Sequence, residues 1–155
     1  MPDRSTLHLT VAAVVCYQQR FLLVEERDKN SGALVLNQPA GHVEAGEDLL
    51  TAVQRELQEE TGLVLAPTGW LGISQLHAAN GHFYYRVNFV FEPVVLPAHY
   101  QPQDCDILAL HWLSQTELQQ ASLPLRSQLV SQAIDEYLQG VRLPLDRLQP
   151  MLRMV

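Results

Sequence analysis

The segment at residues 41–63, GHVEAGEDLLTAVQRELQEETGL, combines an apolar stripe with a dense group of acidic residues. Its apolar residues recur at helical spacing and would share one face: Leu49, Leu50, Val53 and Leu57. Asp48 is a suitable N-cap, and Gly62 stands where a glycine commonly ends a helix. The pattern therefore predicts a helix over residues 48–61 that is anchored in the core by one face.

Three glutamates of this predicted helix are spaced to lie close together. Glu56, Glu59 and Glu60 follow the i, i+3, i+4 pattern, which places their side chains on one helix face. Like charges at this spacing repel each other unless a cation lies between them. Oxygen ligands of this kind suit Mg²⁺ or Mn²⁺. A solvated acidic face is the alternative, but the flanking Pro39-Ala40-Gly41 and Gly62 favour a metal site.

The rest of the chain predicts a mixture of strands and helices. Strands are expected at residues 8–17, 21–26, 33–36, 70–79, 82–93 and 107–113. The pair Asn80-Gly81 indicates a hairpin turn. A helix should open at Ser114, which has capping-box spacing, and another should cover residues 125–138. We expect an α+β fold, an α/β/α sandwich with a mixed, antiparallel-rich sheet packed between helices.

Size and charge restrict the functions open to this chain. Its 155 residues fit one domain, and its net charge of −7 argues against binding to a nucleic acid polymer. No apolar run is long enough for a membrane span, and no signal-peptide pattern follows Met1. We therefore expect a cytoplasmic protein. Cys16 and Cys105 form neither a C-x-x-C pair nor a four-cysteine zinc site, and Cys16, in an apolar strand-like run, is expected to be a reduced core residue.

The acidic segment also resembles the Nudix box, G-x5-E-x7-R-E-U-x-E-E-x-G-U, where U is aliphatic. All of its fixed positions are filled, by Gly41, Glu47, Arg55, Glu56, Leu57, Glu59, Glu60, Gly62 and Leu63. The hairpin before the box and the strand containing Trp112 after it follow the order typical of this family. By this resemblance the chain is identified as a member of the Nudix hydrolase family, with a single domain over residues 1–155.

The resemblance implies roles for the box residues. The metal ligands would be the carboxylates of Glu56, Glu59 and Glu60 together with the Gly41 carbonyl, holding Mg²⁺ with Mn²⁺ as a possible substitute. Catalytic roles would fall to Glu59, Glu56, Arg55 and Glu47, with Arg55 orienting the carboxylate of Glu47 or Glu56. Glu44 and Glu47 would hold a second metal or a water. The general base would be a box glutamate or a later acidic residue, Asp104 or Asp106.

A negatively charged protein needs cations to bind a pyrophosphate, because bound metal reverses the local charge and lowers the pKa of a coordinated water. Arg86 interrupts an otherwise apolar strand and is predicted to bind phosphate. Gln38 and His42 lie next to the box and are predicted to contact the substrate. We expect a small phosphorylated substrate and a monomer or homodimer.

Segments outside the box are similar to a group of bacterial Nudix phosphatases, the NudJ group. They are NQPAGH at residues 37–42, LRS at 125–127 and RLPL at 142–145. This similarity implies release of phosphate from nucleoside tri- and diphosphates, and hydrolysis of the thiamine precursor hydroxymethylpyrimidine pyrophosphate. Two alternatives remain open. One is a nucleoside diphosphate-X pyrophosphatase acting on a nucleotide sugar or dinucleotide, and the other is a non-catalytic, nucleotide-sensing Nudix domain.

Overall fold

A computed structural model describes residues 2–154 of the chain. The strands are β1 (Leu7–Tyr17), β2 (Arg20–Arg27), β3 (Leu34–Asn37), β4 (Ala40–His42), β5 (Gly69–His77), β6 (Phe83–Phe91) and β7 (Ile107–Leu113). The helices are α1 (Leu49–Thr61), α2 (Gln115–Gln119), α3 (Gln128–Leu138) and a 3-10 turn at Leu145–Arg147. The predicted single domain also includes Met1 and Val155, which lie outside the described residues. Within residues 2–154, no helix is long and apolar enough to cross a membrane.

Strand β1 is the centre of the sheet, because it pairs with three other strands. It runs parallel to β6 along nearly its whole length, from Leu7 opposite Phe83 to Val15 opposite Phe91. It is antiparallel to β2 and to the short β4. The main path of the sheet is β3-β2-β1-β6-β5, and β7 pairs antiparallel with β2. The predicted mixed, antiparallel-rich sheet is therefore confirmed.

Two apolar clusters cover the two faces of the sheet. On one face Val11 and Phe89 pack with Val53 and Leu57 of α1. On the other face Val14 and Val90 belong to a cluster that contains three residues of α3, namely Val130, Ala133 and Ile134. Alternate residues of β1 and β6 thus enter opposite layers, as strand geometry requires. This is the expected helix–sheet–helix sandwich.

The predicted helix boundaries are met closely at α1. The Asp48 side chain accepts a hydrogen bond from the Thr51 backbone N–H, and Gly62 ends the helix with a φ of 82°. The C-terminal helix is shorter than predicted, because α3 begins at Gln128 rather than at residue 125. Ser127 caps α3, while Leu125 makes an isolated parallel bridge to Leu36.

One strand was missed by the sequence analysis, and one expected turn has an unusual backbone conformation. No strand was predicted between residues 36 and 48, but Ala40–His42 forms β4 and pairs with residues 10–12 of β1. A strand of three residues is too short to show alternation in the sequence. The β1–β2 hairpin turns at Gln18 and Gln19, which both have positive φ, at 50° and 65°. Glycine or asparagine is usual in such a turn.

We predict that Gly62→Ala lowers the free energy of unfolding by more than about 2 kcal/mol. A Cβ at this position would overlap the Gln101 carbonyl oxygen, and the backbone is left-handed as well. Gly140→Ala is a matched control, since Gly140 has a φ of 86° but open space around it. The control should lose only about 1 kcal/mol in urea unfolding. Equal losses in both variants would contradict the proposed clash.

Candidate active site

The Arg55 guanidinium is the centre of a charged cluster at the N-terminal half of α1. Its Nε and Nη2 donate to the two carboxylate oxygens of Glu47, at 2.6 and 2.9 Å. Its Nη1 donates to Glu56 Oε1 at 2.8 Å and to Glu59 Oε2 at 3.2 Å. Nη2 also donates to the His42 carbonyl oxygen at 3.0 Å. One side chain therefore joins α1, the loop before it and the end of β4.

Strand β4 packs directly against the carboxylates of Glu56 and Glu60 on α1. A Cβ on Gly41 would overlap the Glu56 carboxylate, so only a glycine allows this approach. The backbone N–H of Ala40 donates to Glu60 Oε1 at 2.7 Å. Both contacts depend on the pairing of β4 with β1, in which Gly41 lies opposite Val11 and Ala40 opposite Ala12. The central strand thus positions the backbone against which the glutamates pack.

The carboxylates of this cluster have different pKa values because their surroundings differ. Hydrogen bonds from Arg55 hold the pKa of Glu47 below its usual range. Burial raises the pKa of Glu56, although Arg55 bonds to it. Burial also raises the pKa of Glu60 to about 9, and the Ala40 N–H offsets this only in part. Arg55 itself has a raised pKa, chiefly because of its hydrogen bond to Glu47.

The donor set fits a hard divalent cation. Glu56 and Glu60 are buried, and nearby negative charge contributes to the raised pKa of each. A cation between them would favour their ionised forms, which burial disfavours. All of the side-chain donors on this face are carboxylate oxygens, as Mg²⁺ and Mn²⁺ prefer. Among the described residues the carboxylates of Glu56, Glu59 and Glu60 do not all lie within 4.8 Å of one another, so binding such an ion would require them to move closer together.

A loop before β7 packs against the C-terminal half of α1. The backbone N–H groups of Gln103 and Asp104 both donate to the Glu59 carbonyl at 2.9 Å. The charge of Asp104 contributes to the raised pKa of Glu60. Asp106 donates its own N–H to Asp104 Oδ1 and is exposed, as is Asp104. Of the two aspartates considered as general base, Asp104 is thus placed electrostatically close to the box glutamates.

Arg86 is buried within a polar chain of residues on the α3 side of the sheet. It is 4% exposed, and its Nη2 donates to Asn37 Oδ1 at 3.0 Å. Asn37 Nδ2 donates to Glu26 Oε1 at 3.1 Å, and Arg126 Nη1 donates to the same oxygen at 2.6 Å. Burial lowers the pKa of Arg86 to about 10, an effect that the charge of Glu60 opposes.

Glu26 of this polar chain was not singled out by the sequence analysis, whereas Asn37 and Arg126 lie in the segments 37–42 and 125–127 that it quoted. Glu26, Asn37 and Arg126 lie 11 to 100 positions apart in pairs and meet only through the fold. Arg86 Nε has no hydrogen-bond partner among the described residues. The predicted phosphate contact thus has a buried, charged donor with unused hydrogen-bonding capacity.

The other two residues predicted to contact substrate occupy different surroundings. Gln38 is 1% exposed, and its Nε2 donates to the Val130 carbonyl of α3 at 2.9 Å. Its Oε1 has no partner among the described residues. His42 is exposed at the end of β4, with its ring beside His8 and its carbonyl bonded to Arg55. The structure thus places the His42 carbonyl at the carboxylate cluster, the His42 ring beside His8 outside that cluster, and Gln38 beneath the sheet surface.

Comparison with known proteins gives the same assignment along most of the chain. A sequence profile of the NUDIX domain matches residues 6–133. Phosphatase NudJ of Escherichia coli (strain K12) is 42% identical over 140 residues, covering 90% of this chain and 88% of that protein. The resemblance inferred from the box residues and from the segments outside the box is confirmed.

Solved structures share the architecture. A NUDIX hydrolase from Nitrosomonas europaea has a TM-score of 0.84 and 39% identity, covering 93% of this chain and 97% of that one. The NUDIX domain of Shewanella oneidensis NrtR, solved with ADP ribose, has a TM-score of 0.62 and 25% identity. That similarity covers 84% of this chain and 88% of the NrtR chain. The sandwich described above is therefore the fold of these proteins.

The raised pKa of Glu60 predicts that the metal-free protein loses stability as pH rises. The ordinary value is 4.5, whereas the folded value is about 9. Between these values the folded chain keeps a proton that the unfolded chain has released, so the free energy of unfolding falls with increasing pH. Urea unfolding in a chelator should show lower stability at about pH 8.5 than at about pH 6, and Glu60→Gln should flatten this slope. An unchanged slope in that variant would assign the effect to other groups.

Proposed function

The chain belongs to the Nudix hydrolase family, and from that premise we propose that it is a Mg²⁺-dependent phosphoanhydride hydrolase. In this proposal it releases phosphate from nucleoside tri- and diphosphates, as the name of the 42% identical Phosphatase NudJ suggests. Hydroxymethylpyrimidine pyrophosphate, the thiamine precursor, is a further proposed substrate. We infer one Nudix domain over the whole chain, acting as a monomer or homodimer. Mn²⁺ is the expected substitute for Mg²⁺.

The main support for this proposal is the pair of buried carboxylates of Glu56 and Glu60, which lie where Gly41 of β4 packs closely against α1. Burying ionised groups without a partner is costly, and Arg55 compensates Glu56 but makes no hydrogen bond to Glu60. A divalent cation would compensate both. We propose Glu56, Glu59, Glu60 and the Gly41 carbonyl as its ligands. When bound, Mg²⁺ would supply positive charge for the phosphate oxygens and acidify a water.

Residues of the chain itself would orient the carboxylates and accept the proton of the attacking water. Arg55 would hold the carboxylates of Glu47 and Glu56 in place through the charge-assisted hydrogen bonds described above. Two glutamates of α1 bond to Arg55, namely Glu56 and Glu59. The Glu59 side chain is the more exposed of the two, at 46% against 12% for Glu56. We propose that Glu59 accepts the proton of the attacking water. Asp104, packed against the same end of α1, is the alternative acceptor.

The substrate would be bound by residues from both sides of β4. We propose that Arg86 contacts a phosphate through its unpaired Nε, because a buried guanidinium favours an anionic partner. His42 is proposed to contact the part of the substrate nearest the carboxylate cluster. Gln38, which is buried against α3, is proposed to contact the substrate with its free amide oxygen.

A second candidate is a nucleoside diphosphate-X pyrophosphatase. The solved NrtR domain contains ADP ribose and is 25% identical to this chain. Nucleoside diphosphates linked to a sugar therefore belong among the substrates to be tested. The similarity to the NrtR domain is also compatible with a non-catalytic, nucleotide-sensing domain. The complete box, with every carboxylate ligand present, argues for turnover.

The test is a panel of phosphoanhydrides with product identification in the presence of Mg²⁺. Inorganic phosphate from a nucleoside diphosphate supports the first candidate, and a nucleoside monophosphate from a nucleotide sugar or dinucleotide supports the second. We expect Glu59→Gln and Glu60→Gln each to lower kcat by several orders of magnitude while the fold is kept. Glu136→Gln changes a helical glutamate on the opposite face of the sheet and should leave kcat unchanged.

Two results would contradict the proposed hydrolase function. One is the absence of Mg²⁺-dependent turnover on every member of the panel. The other is near-normal kcat in both glutamate variants, which would remove them as metal ligands. Asp104→Asn separates the two proposed proton acceptors, because it should change kcat little if Glu59 accepts the proton.

Gly41→Ala is predicted to damage activity more than stability. The added Cβ would overlap the Glu56 carboxylate, which is the mobile end of a side chain and can move away at small cost to the fold. That movement displaces a proposed metal ligand, so the Mg²⁺ concentration for half-maximal activity should rise by about tenfold or more. Thermal unfolding without metal should change by only a few degrees. Normal Mg²⁺ dependence would contradict the proposed position of Glu56.

A further inference from the structure

Three histidines meet outside the carboxylate cluster, on the face of the sheet that carries α3. His8 lies at the start of β1, His42 at the end of β4 and His82 just before β6. His8 Nδ1 lies 2.9 Å from His42 Nε2, and His8 Nε2 lies 2.7 Å from His82 Nδ1. Tyr84, directly opposite His8 in the β1–β6 ladder, stacks on the His8 ring with 4.6 Å between centroids.

A neutral His8 ring cannot donate a hydrogen bond to both His42 and His82. A neutral imidazole has one N–H donor and one lone-pair acceptor. When His8 donates from Nε2 to His82, its Nδ1 lone pair faces His42 Nε2. Among residues 2–154 no carboxylate or guanidinium forms an ion pair or hydrogen bond with any of these three rings. A divalent cation bound by both nitrogens would replace the proton of the His8–His42 hydrogen bond.

The distance between these two nitrogens fits ligands in neighbouring positions of a square or octahedral metal site. With metal–nitrogen bonds of about 2.0–2.1 Å, a separation of 2.9 Å corresponds to an angle of about 90° at the metal. A tetrahedral ion would need the nitrogens about 3.4 Å apart. Nitrogen ligands at right angles are typical of Cu²⁺ and Ni²⁺. The oxygen-only carboxylate cluster favours a different class of cation.

We propose that His8 Nδ1 and His42 Nε2 bind one Cu²⁺ or Ni²⁺ ion, and that His82 orients the His8 ring by accepting its Nε2–H. A hydrogen bond of this kind fixes the tautomer of a ligating histidine and strengthens its binding. Since His82 contacts the opposite nitrogen of His8, it is a positioning residue rather than a third ligand to the same ion. This second metal site uses none of the proposed Mg²⁺ ligands, and it shares His42 with the proposed substrate contacts.

The experiment titrates the full, tag-free chain with Cu²⁺ in the presence of excess Mg²⁺, which occupies the carboxylates. Electron paramagnetic resonance then reports the nitrogens bound to copper. We expect one equivalent of Cu²⁺ to show coupling to two imidazole nitrogens. His8→Asn and His42→Asn should each lose one of them and weaken binding by about tenfold or more. His82→Asn should keep both nitrogens while weakening binding by about tenfold.

His77→Asn is the matched control, because His77 lies on neighbouring β5 and stacks on Phe83 outside the cluster. It should bind Cu²⁺ as the unchanged protein does. A spectrum without nitrogen coupling would overturn the proposal and leave the cluster as a hydrogen-bonded group only. A two-nitrogen spectrum that persists in both His8→Asn and His42→Asn would also overturn it. Circular dichroism of each variant confirms folding, and the glutamine variant of the same histidine replaces any asparagine variant that fails to fold.

Discussion

The guanidinium of Arg55 sets the geometry on which the rest of the site depends. It spans a strand end, a loop and a helix, because its nitrogens bond to the His42 carbonyl, to Glu47 and to two glutamates of α1. Without a cation in that place, carboxylates so close together would repel each other. The planar fork of arginine can serve several oxygens at fixed angles, which the single ammonium group of a lysine cannot.

The sheet gives this arrangement its rigidity. Strand β4 has only three residues, yet it is held against β1, whose apolar residues from Val11 to Val15 are buried between the two helical layers. Helix α1 is anchored by Val53 and Leu57 in that core. The glutamates therefore project from a fixed helix onto a fixed strand, and their burial raises the pKa of Glu56 and Glu60.

The parts that the sequence predicted are those with local causes. Helix α1, its Asp48 cap and its Gly62 end follow from spacing and residue type within a few turns, and the structure has them. The box residues were found by their fixed spacing in the same way. Strand β4 was missed because three residues show no period.

The remaining features depend on contacts between distant residues. The network from Arg86 through Asn37 to Glu26 joins β6, β3 and β2, and the histidine cluster joins β1, β4 and the residue just before β6. Neither has a signature in the order of residues, since each arises from the strand pairing.

The parallel pairing of β1 with β6 has a consequence for the order in which the chain can fold. During synthesis β1 is complete at Tyr17, but its long partner ends only at Phe91, with α1 lying between them. Contacts between such distant segments form late and slow the folding of a domain. The acidic helix is thus made before the ladder beside it exists, and a nascent chain that stops short of β6 carries the helix charges without the finished sheet that holds them.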